Sequence, residues 1–194
     1  MMSAPRILAF AGSARRESFN KRLVRIAAAG AEAAGAAVTL IDLADYPLPL
    51  FDQDLEAEQG LPQNAVVLKR MFLDHDGLLM SCPEYNSSVT PLWKNTIDWV
   101  SRPAPGEGSL AAFKHKVAVI MSASSGRLGG LRGLVHVRAI LGNIGVLVLP
   151  DQYAVSEAHG AFTPDGRHHD AKIHASLEKL GRTLAEFLQK LRST

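Results

Sequence analysis

A short polar loop near the amino terminus has the residue types of a phosphate-binding site. Ser13, Ser18 and Asn20 can donate hydrogen bonds, and Arg15 can donate two from one guanidinium. The loop follows the apolar run 6–12 and precedes a helical pattern, so it lies at a helix N-terminus, which attracts anions. These groups suit a phosphomonoester, but they also suit an ordinary helix cap, and the pattern alone leaves both interpretations open.

A second polar loop follows the buried strand predicted for residues 77–82. Pro83 ends that strand because it has no N–H for the sheet, and Glu84, Tyr85, Asn86 and Ser87 come next. Further on, Thr90 and Pro91 have the N-cap and first-turn positions of a new helix.

A third loop, residues 122–130, follows the strand predicted for residues 116–121. It is rich in serine and glycine, including Ser124 and Gly126, and precedes a helix predicted for 131–141. Its glycines would let backbone N–H groups approach a ligand closely.

The elements that carry these loops alternate between strands and helices. Strands are also predicted at 37–41 and 146–149, helices at 62–73 and from 173 onward, and an acidic, irregular loop at 47–60. This alternation predicts one α/β domain over residues 1–194, with a doubly wound, five-stranded parallel sheet of order 2-1-3-4-5. In that order the three polar loops meet at the carboxyl edge of the sheet, where ligands bind. The loop at 47–60 is expected at the rim of the site or at a subunit contact.

The composition excludes several functional classes. The chain has 194 residues, 47% of them hydrophobic and 21% charged, with a net charge of +2. Lysine and arginine are scattered, so we expect no nucleic-acid partner. The run at 7–11 is too short for a signal peptide or a membrane span, and we expect a cytoplasmic protein without membrane association.

Some residues suggest chemistry that the pattern does not favour. His168, His169 and His174 lack the helical spacing of a zinc motif, so no metal site is predicted. Cys82, the only cysteine, has no internal disulfide partner and is expected to be a small core residue. Trp93 and Trp99 lie six residues apart, and core packing is favoured for both, although one could reach a pocket or a partner.

Together the three loops resemble the flavodoxin-like NADPH-dependent FMN reductase family, which includes quinone, azo-dye and chromate reductases. The resemblance spans most of the chain, and its most specific motif is Pro83-Glu84-Tyr85-Asn86. Family members usually carry proline one position before Pro91 and an aliphatic residue in place of Trp93.

The resemblance implies an FMN-dependent enzyme that passes two electrons from NADPH or NADH to a small acceptor, such as a quinone, an azo compound, free flavin or chromate. It implies no catalytic side chain, because the flavin carries the hydride. It also implies cofactor-binding residues in each loop: Ser13, Arg15, Ser18, Phe19 and Asn20 in the first, Pro83, Glu84, Tyr85, Asn86 and Ser87 in the second, and Ser124 and Gly126 in the third. Of these, Ser13, Arg15, Ser18 and Asn20 would hold the phosphate, and backbone N–H groups of residues 124–126 would face the pyrimidine end of the flavin.

Two other functions remain open. A flavodoxin-type electron carrier would bind FMN without nicotinamide chemistry, but such carriers are strongly acidic and lack an arginine in the phosphate loop, whereas this chain has a pI near 8.8. A nucleotide-binding regulatory module could use the same fold. A site made of loop tips is shallow, so we expect a homodimer or homotetramer whose contacts complete it, using residues 47–60 and exposed parts of the helix after Pro91, including Trp93 or Trp99.

Overall fold

A five-stranded parallel sheet forms the centre of the protein. The computed structural model describes residues 3–192. The sheet contains β1 (Arg6–Ala11), β2 (Ala37–Asp42), β3 (Gly77–Ser81), β6 (Val117–Ala123) and β7 (Leu147–Val155), and its order is β2-β1-β3-β6-β7. This confirms the predicted order, with the winding direction reversed between β1 and β3.

Six helices and a small hairpin complete the fold. The helices are α1 (Phe19–Ala33), α2 (Gln53–Gln59), α3 (Gln63–Asp74), α4 (Pro91–Val100), α5 (Leu131–Asn143) and α6 (Ala171–Arg192). The hairpin consists of β4 (Glu84–Tyr85) and β5 (Ser88–Val89), which pair antiparallel.

Residues of β1 alternate between two cores, one on each face of the sheet. Ile7 and Ala9 lie in the core formed with α1 and α6, whereas Leu8 and Phe10 lie in the core formed with α3, α4 and α5. This alternation follows from the two-residue period of a strand, and it explains why β1 reads as a continuous apolar run.

Two glycines allow α1 and α6 to pack closely. A Cβ atom at Gly30 would lie 2.0 Å from the carbonyl oxygen of Glu178, and one at Gly181 would lie 1.8 Å from that of Ala27. The close approach fixes α1 against the sheet, and with it the N-terminus that the first polar loop precedes.

Three segments differ from the sequence-based prediction. The region 47–60, predicted as irregular, contains α2, whose N-cap Asp52 accepts a hydrogen bond from the N–H of Asp54 at 2.8 Å. The second polar loop contains the β4–β5 hairpin. Strand β7 runs to Val155 rather than to residue 149, with a register shift opposite β6 where Pro150 interrupts the pairing.

Candidate functional site

A groove at the carboxyl edge of the sheet contains most of the predicted site residues. Its volume is about 160 Å³. Nine of the twelve predicted residues line it, together with Ala123 and Ser125: Ser13, Arg15, Ser18, Phe19, Asn20, Pro83, Glu84, Tyr85 and Ser124. The other three, Asn86, Ser87 and Gly126, do not line it.

The groove forms because the sheet ladder continues past the strand ends. Gly12 donates from its N–H to the carbonyl oxygen of Ser81 at 2.9 Å, and Cys82 donates to that of Met121 at 2.7 Å. In the same way Ser124 donates to Val155 at 3.1 Å. The three loops therefore leave the sheet at fixed positions relative to one another.

The N-terminus of α1 is open to an anion. Its N-cap Ser18 is buried but makes no capping hydrogen bond, and the first turn holds no acidic residue. The first backbone bond of the helix runs from the N–H of Arg22 to the oxygen of Ser18, so the N–H groups of residues 19–21 have no acceptor within residues 3–192. Free N–H groups at the positive end of a helix dipole form an anion site.

Arg15 places a positive charge beside this helix end. Its side chain is exposed, forms no ion pair with any residue in the described part of the chain, and lies 6.0 Å from the ring centroid of Phe19. Phe19 in turn stacks on Phe162, with centroids 6.3 Å apart. The guanidinium is therefore next to the open helix N-terminus and free to bind an anion.

The side chain of Asn20 makes three hydrogen bonds within the protein. Its Nδ2 donates to the carbonyl oxygen of Ala123 at 2.8 Å, and its Oδ1 accepts from the N–H of Ala123 at 3.0 Å and from the Ser81 hydroxyl at 2.7 Å. The amide thus joins α1 to the ends of β3 and β6. The backbone N–H and the second hydrogen of Nδ2 make no hydrogen bond within residues 3–192.

The third loop offers fewer free N–H groups than predicted. The N–H of Ser124 pairs with Val155, and that of Gly126 donates to Ser124 Oγ at 3.2 Å. Within 124–126, only the N–H of Ser125 makes no hydrogen bond in the described structure. The sequence predicted the N–H groups of residues 124–126 as a set, because a serine-rich turn does not reveal which N–H groups the turn itself uses.

The glycines after this turn allow close packing within the protein. A Cβ atom at Gly129 would lie 2.7 Å from the carbonyl carbon of Val155, and one at Gly130 would lie 2.0 Å from Ser122 Oγ. Their role is to let the start of α5 contact the ends of β6 and β7.

The hairpin forms a rim beside the groove. Asn86 and Ser87, its two loop residues, have φ values of 50° and 67°. Two positive φ values in a two-residue loop are typical of a type I′ turn, where asparagine is favoured and serine at the second position is not. Tyr85 before them is 52% exposed, so an aromatic face is presented to solvent at this rim.

Glu84 connects the hairpin to α5. Its carboxylate accepts from the N–H of Gly133 at 2.9 Å and from Arg132 Nη2 at 2.8 Å. Burial would raise the pKa of Glu84, but these hydrogen bonds and the charge of Arg132 together hold it below its usual value. The side chain lies along the groove, but its charged end is used to position the hairpin.

Other residues singled out in the sequence lie in the core. Cys82 is buried, and burial raises the pKa of its thiol, so it stays protonated. Trp93 and Trp99 are 1% and 0% exposed, so the prediction that either supplies exposed apolar surface to a subunit contact is wrong. Trp93 packs against Gly12, where a Cβ atom would lie 2.9 Å from that of the tryptophan.

Two histidines near α6 accept hydrogen bonds from backbone N–H groups. Nδ1 of His168 accepts from the N–H of Asp170 at 3.0 Å, and Nδ1 of His174 accepts from the N–H of His168 at 3.2 Å. Between residues 3 and 192, no group of three or more His, Cys, Asp or Glu side chains is placed to hold a metal ion. Over the same residues no helix has the length and apolar character to cross a bilayer.

Comparison with known proteins gives consistent matches. Residues 5–160 match the family model described as NADPH-dependent FMN reductase. The chain is 31% identical over 188 residues to an NAD(P)H-dependent FMN reductase of Pseudomonas aeruginosa, covering 96% of this chain and 97% of that one. It is 35% identical over 143 residues to a quinone reductase of Escherichia coli K12, covering 74% and 72%.

A solved structure also matches over nearly the whole chain. FerB, a flavoenzyme NAD(P)H:(acceptor) oxidoreductase from Paracoccus denitrificans, superposes with a TM-score of 0.79 and 26% identity, covering 96% of this chain and 98% of that one.

Proposed function

The chain belongs to the NADPH-dependent FMN reductase family, and from that premise we propose that the groove holds FMN and serves a small quinone-type acceptor. The protein is accordingly an FMN-dependent oxidoreductase that uses NAD(P)H. The observation that supports the groove as the flavin site is its open anion pocket, made by an uncapped α1 and an unpaired Arg15. Two relatives named for quinone reduction support the acceptor class.

The phosphate of FMN fits the first loop. A dianion requires several donors and a cation, and the N–H groups of residues 19–21, the hydroxyls of Ser13 and Ser18 and the guanidinium of Arg15 meet that requirement. Ser13 and Ser18 are 6% and 3% exposed, so their hydroxyls are already positioned by the protein. Asn20 would act through its backbone N–H and by holding the loop to β3 and β6.

The remaining loops would hold the rest of the cofactor. Pro83 and Tyr85 line the groove beyond the phosphate pocket, and Ser125 offers a free N–H of the third loop to the carbonyl-rich end of the ring. A groove of about 160 Å³ is smaller than the usual ligand pocket, so the ring would stand partly exposed beside Tyr85. When bound, FMN supplies the two-electron chemistry, and the protein supplies binding and orientation.

The flavodoxin-type carrier is the weaker candidate. A pI near 8.8 and the unpaired Arg15 do not suit a protein that docks through acidic surface. The two candidates differ in whether nicotinamide reduces the bound flavin.

The test is anaerobic titration of the FMN-loaded protein with NADPH and with NADH, followed by absorbance at the flavin band. Rapid bleaching by either nicotinamide, reversed by a benzoquinone, is the expected result. Bound flavin that only dithionite bleaches would support the carrier, and protein that binds no flavin would overturn both.

We also propose a homodimer or homotetramer. With Trp93 and Trp99 buried, the exposed apolar side chains beside the groove include Tyr85 of the hairpin and Leu128 of the third loop, which are 52% and 51% exposed. A neighbouring subunit that covered Tyr85 would shield the exposed edge of the flavin. Light scattering across a dilution series, with activity measured at each point, tests this, and a fully active monomer would contradict it.

A further inference from the structure

A second cavity lies behind the phosphate-binding loop. Its volume is about 510 Å³, and it is lined by α1, by residues 164–167 and by the start of α6. Ser18 lines both this cavity and the flavin groove, so the loop is a common wall between them. We name it the arginine cavity, after Arg16, Arg25 and Arg167.

The arginine cavity has an excess of unpaired positive charge. Arg16, Arg25 and Arg167 come from three different segments, are exposed, and form no ion pair within the described structure. Of the three carboxylates of the lining, only one is paired with an arginine. Glu17 pairs with Arg22 at 2.6 Å, and Glu178 lies 3.4 Å from His174 Nε2.

Asp165 forms no ion pair within residues 3–192, and Glu178 contacts only a histidine that is charged when protonated, so the three unpaired arginines outnumber the two remaining carboxylates. Like charges gathered without partners repel one another, and a bound anion would relieve that repulsion. A phosphomonoester, with a charge of about −1.5 to −2 at pH 7, suits three guanidinium groups.

The cavity also has apolar surface. Ile26 and Ala29 of α1 and Pro164 line it beside the arginines. A purely inorganic anion would leave this surface unused, whereas a nucleoside phosphate would cover it with its base. The pattern therefore favours a ligand with a flat base and a phosphate.

We propose that the arginine cavity receives the adenosine 2′-phosphate of NADPH, and that Arg16, Arg25 and Arg167 determine the preference for NADPH over NADH. This rests on the proposed function, because it places the nicotinamide end of the same molecule at the flavin groove. A dinucleotide that runs along the phosphate-binding loop would connect the two sites past Ser18, their shared residue. NADH lacks the phosphate, so the arginines discriminate without contacting the reacting atoms.

The test uses Arg25→Ala and Arg167→Ala, which change residues outside the flavin groove. Arg25 also borders a smaller cavity beside Asp42 and Asp45, so the second variant checks the first. Arg182→Ala, an exposed arginine of α6 that does not line the cavity, is the matched control. FMN-loaded proteins are titrated by calorimetry with adenosine 2′,5′-bisphosphate, 5′-AMP and inorganic phosphate, and kcat/KM is measured with both nicotinamides.

The expected result is a loss of about tenfold or more in affinity for adenosine 2′,5′-bisphosphate in each cavity variant, since each removes a charge-assisted hydrogen bond to the phosphate. The ratio of kcat/KM for NADPH to that for NADH should fall by a similar factor in each cavity variant. The value of kcat/KM for NADH should not change, and Arg182→Ala should change neither the affinities nor the ratio. Unchanged affinity for the bisphosphate, or equal losses for 5′-AMP, would overturn the proposal.

Arginine-dependent binding of inorganic phosphate with an unchanged nicotinamide ratio would also overturn it, because the site would then serve a free anion. The calorimetric measurement does not depend on flavin reduction. Loss of the proposed function would appear separately, as a flavin that neither nicotinamide reduces.

Discussion

The hydroxyl of Thr90 donates a hydrogen bond to the carbonyl oxygen of Gly12 at 2.8 Å. The hydroxyl oxygen of Thr90 also accepts a hydrogen bond from the N–H of Trp93 at 3.3 Å, and in this way it caps α4. One buried hydroxyl thus joins the end of β1 to the start of the helix that follows the hairpin. The first two polar loops are held in register by this pair as well as by the sheet.

We predict that Thr90→Val destabilises the protein by about 1–3 kcal/mol. Valine has a similar shape but leaves the Gly12 carbonyl oxygen buried without its donor and removes the helix cap. Urea unfolding of the wild type and the variant measures the change. Thr90→Ser keeps both hydrogen bonds and should lose less than half as much, whereas an unchanged free energy of unfolding in Thr90→Val would show that the hydroxyl does not contribute.

Local signals predicted much of this region. The Thr90-Pro91 pair marks a helix start in any context, and Thr90 is indeed the N-cap and Pro91 the first helical residue. The five strands were recognised because β1, β3 and β6 are buried on both faces and read as apolar runs. Since strand order in this fold follows from the alternation of strands and helices, the edge where the loops meet was predictable too.

Contacts between residues far apart in the sequence determine the features that the sequence pattern did not predict. Asn20 looks like a phosphate ligand in the loop, but its amide binds Ser81 and Ala123, 61 and 103 residues away. Helix α2 was missed because its segment has no apolar stripe, and Glu56 within it pairs with Arg102 at 2.8 Å. The partners of Asn20 and of Glu56 cannot be identified from the local sequence.

Arg15→Ala should weaken FMN binding by about 2 kcal/mol or more, which is roughly thirtyfold in Kd. Its guanidinium forms no ion pair within residues 3–192 and lies over the ring of Phe19 beside the open end of α1, so its charge is available to a phosphate. Riboflavin lacks the phosphate and should bind both proteins equally. Fluorescence titration with the two flavins measures this, and equal losses would place Arg15 away from the phosphate.

Ser87→Gly should stabilise the protein by up to about 1 kcal/mol. Ser87 has a φ of 67°, where a side chain costs energy and glycine does not. Asn86→Gly is the matched control, because asparagine tolerates its φ of 50° better and the gain should be smaller. Thermal unfolding of the three proteins ranks them, and a larger gain at residue 86 would contradict the assignment of strain to Ser87.

The Asp76–Arg192 pair should support the protein against acid. Partial burial would raise the pKa of Asp76, but hydrogen bonds from Arg192 and from the Arg6 N–H, with the charges of both arginines, lower it overall. A lowered pKa contributes stability above the ordinary value of 3.8, and this is lost as the pH falls through the folded-state value. Arg192→Ala should therefore shift the acid-unfolding midpoint to higher pH, measured by circular dichroism. An unchanged midpoint would show that the pair does not contribute.

Asn20→Ala should lower the free energy of unfolding, and it should weaken the binding of FMN and of riboflavin by the same factor. It removes three buried hydrogen bonds, two to the backbone of Ala123 and one to the Ser81 hydroxyl, and leaves their partners unsatisfied. At ~1 kcal/mol or more for each, the expected loss is about 2–4 kcal/mol. Denaturant unfolding measures it.

Ser81→Ala is the control, because it removes only the hydroxyl on the far side of the same network, where Ser81 is fully buried. We expect a loss of about 1 kcal/mol there, leaving the two bonds between Asn20 and Ala123. Because the amide positions the loop rather than binding phosphate, Asn20→Ala should weaken FMN and riboflavin by the same factor. A loss confined to FMN, with unfolding unchanged, would mean that the amide leaves the strand ends and binds the phosphate itself.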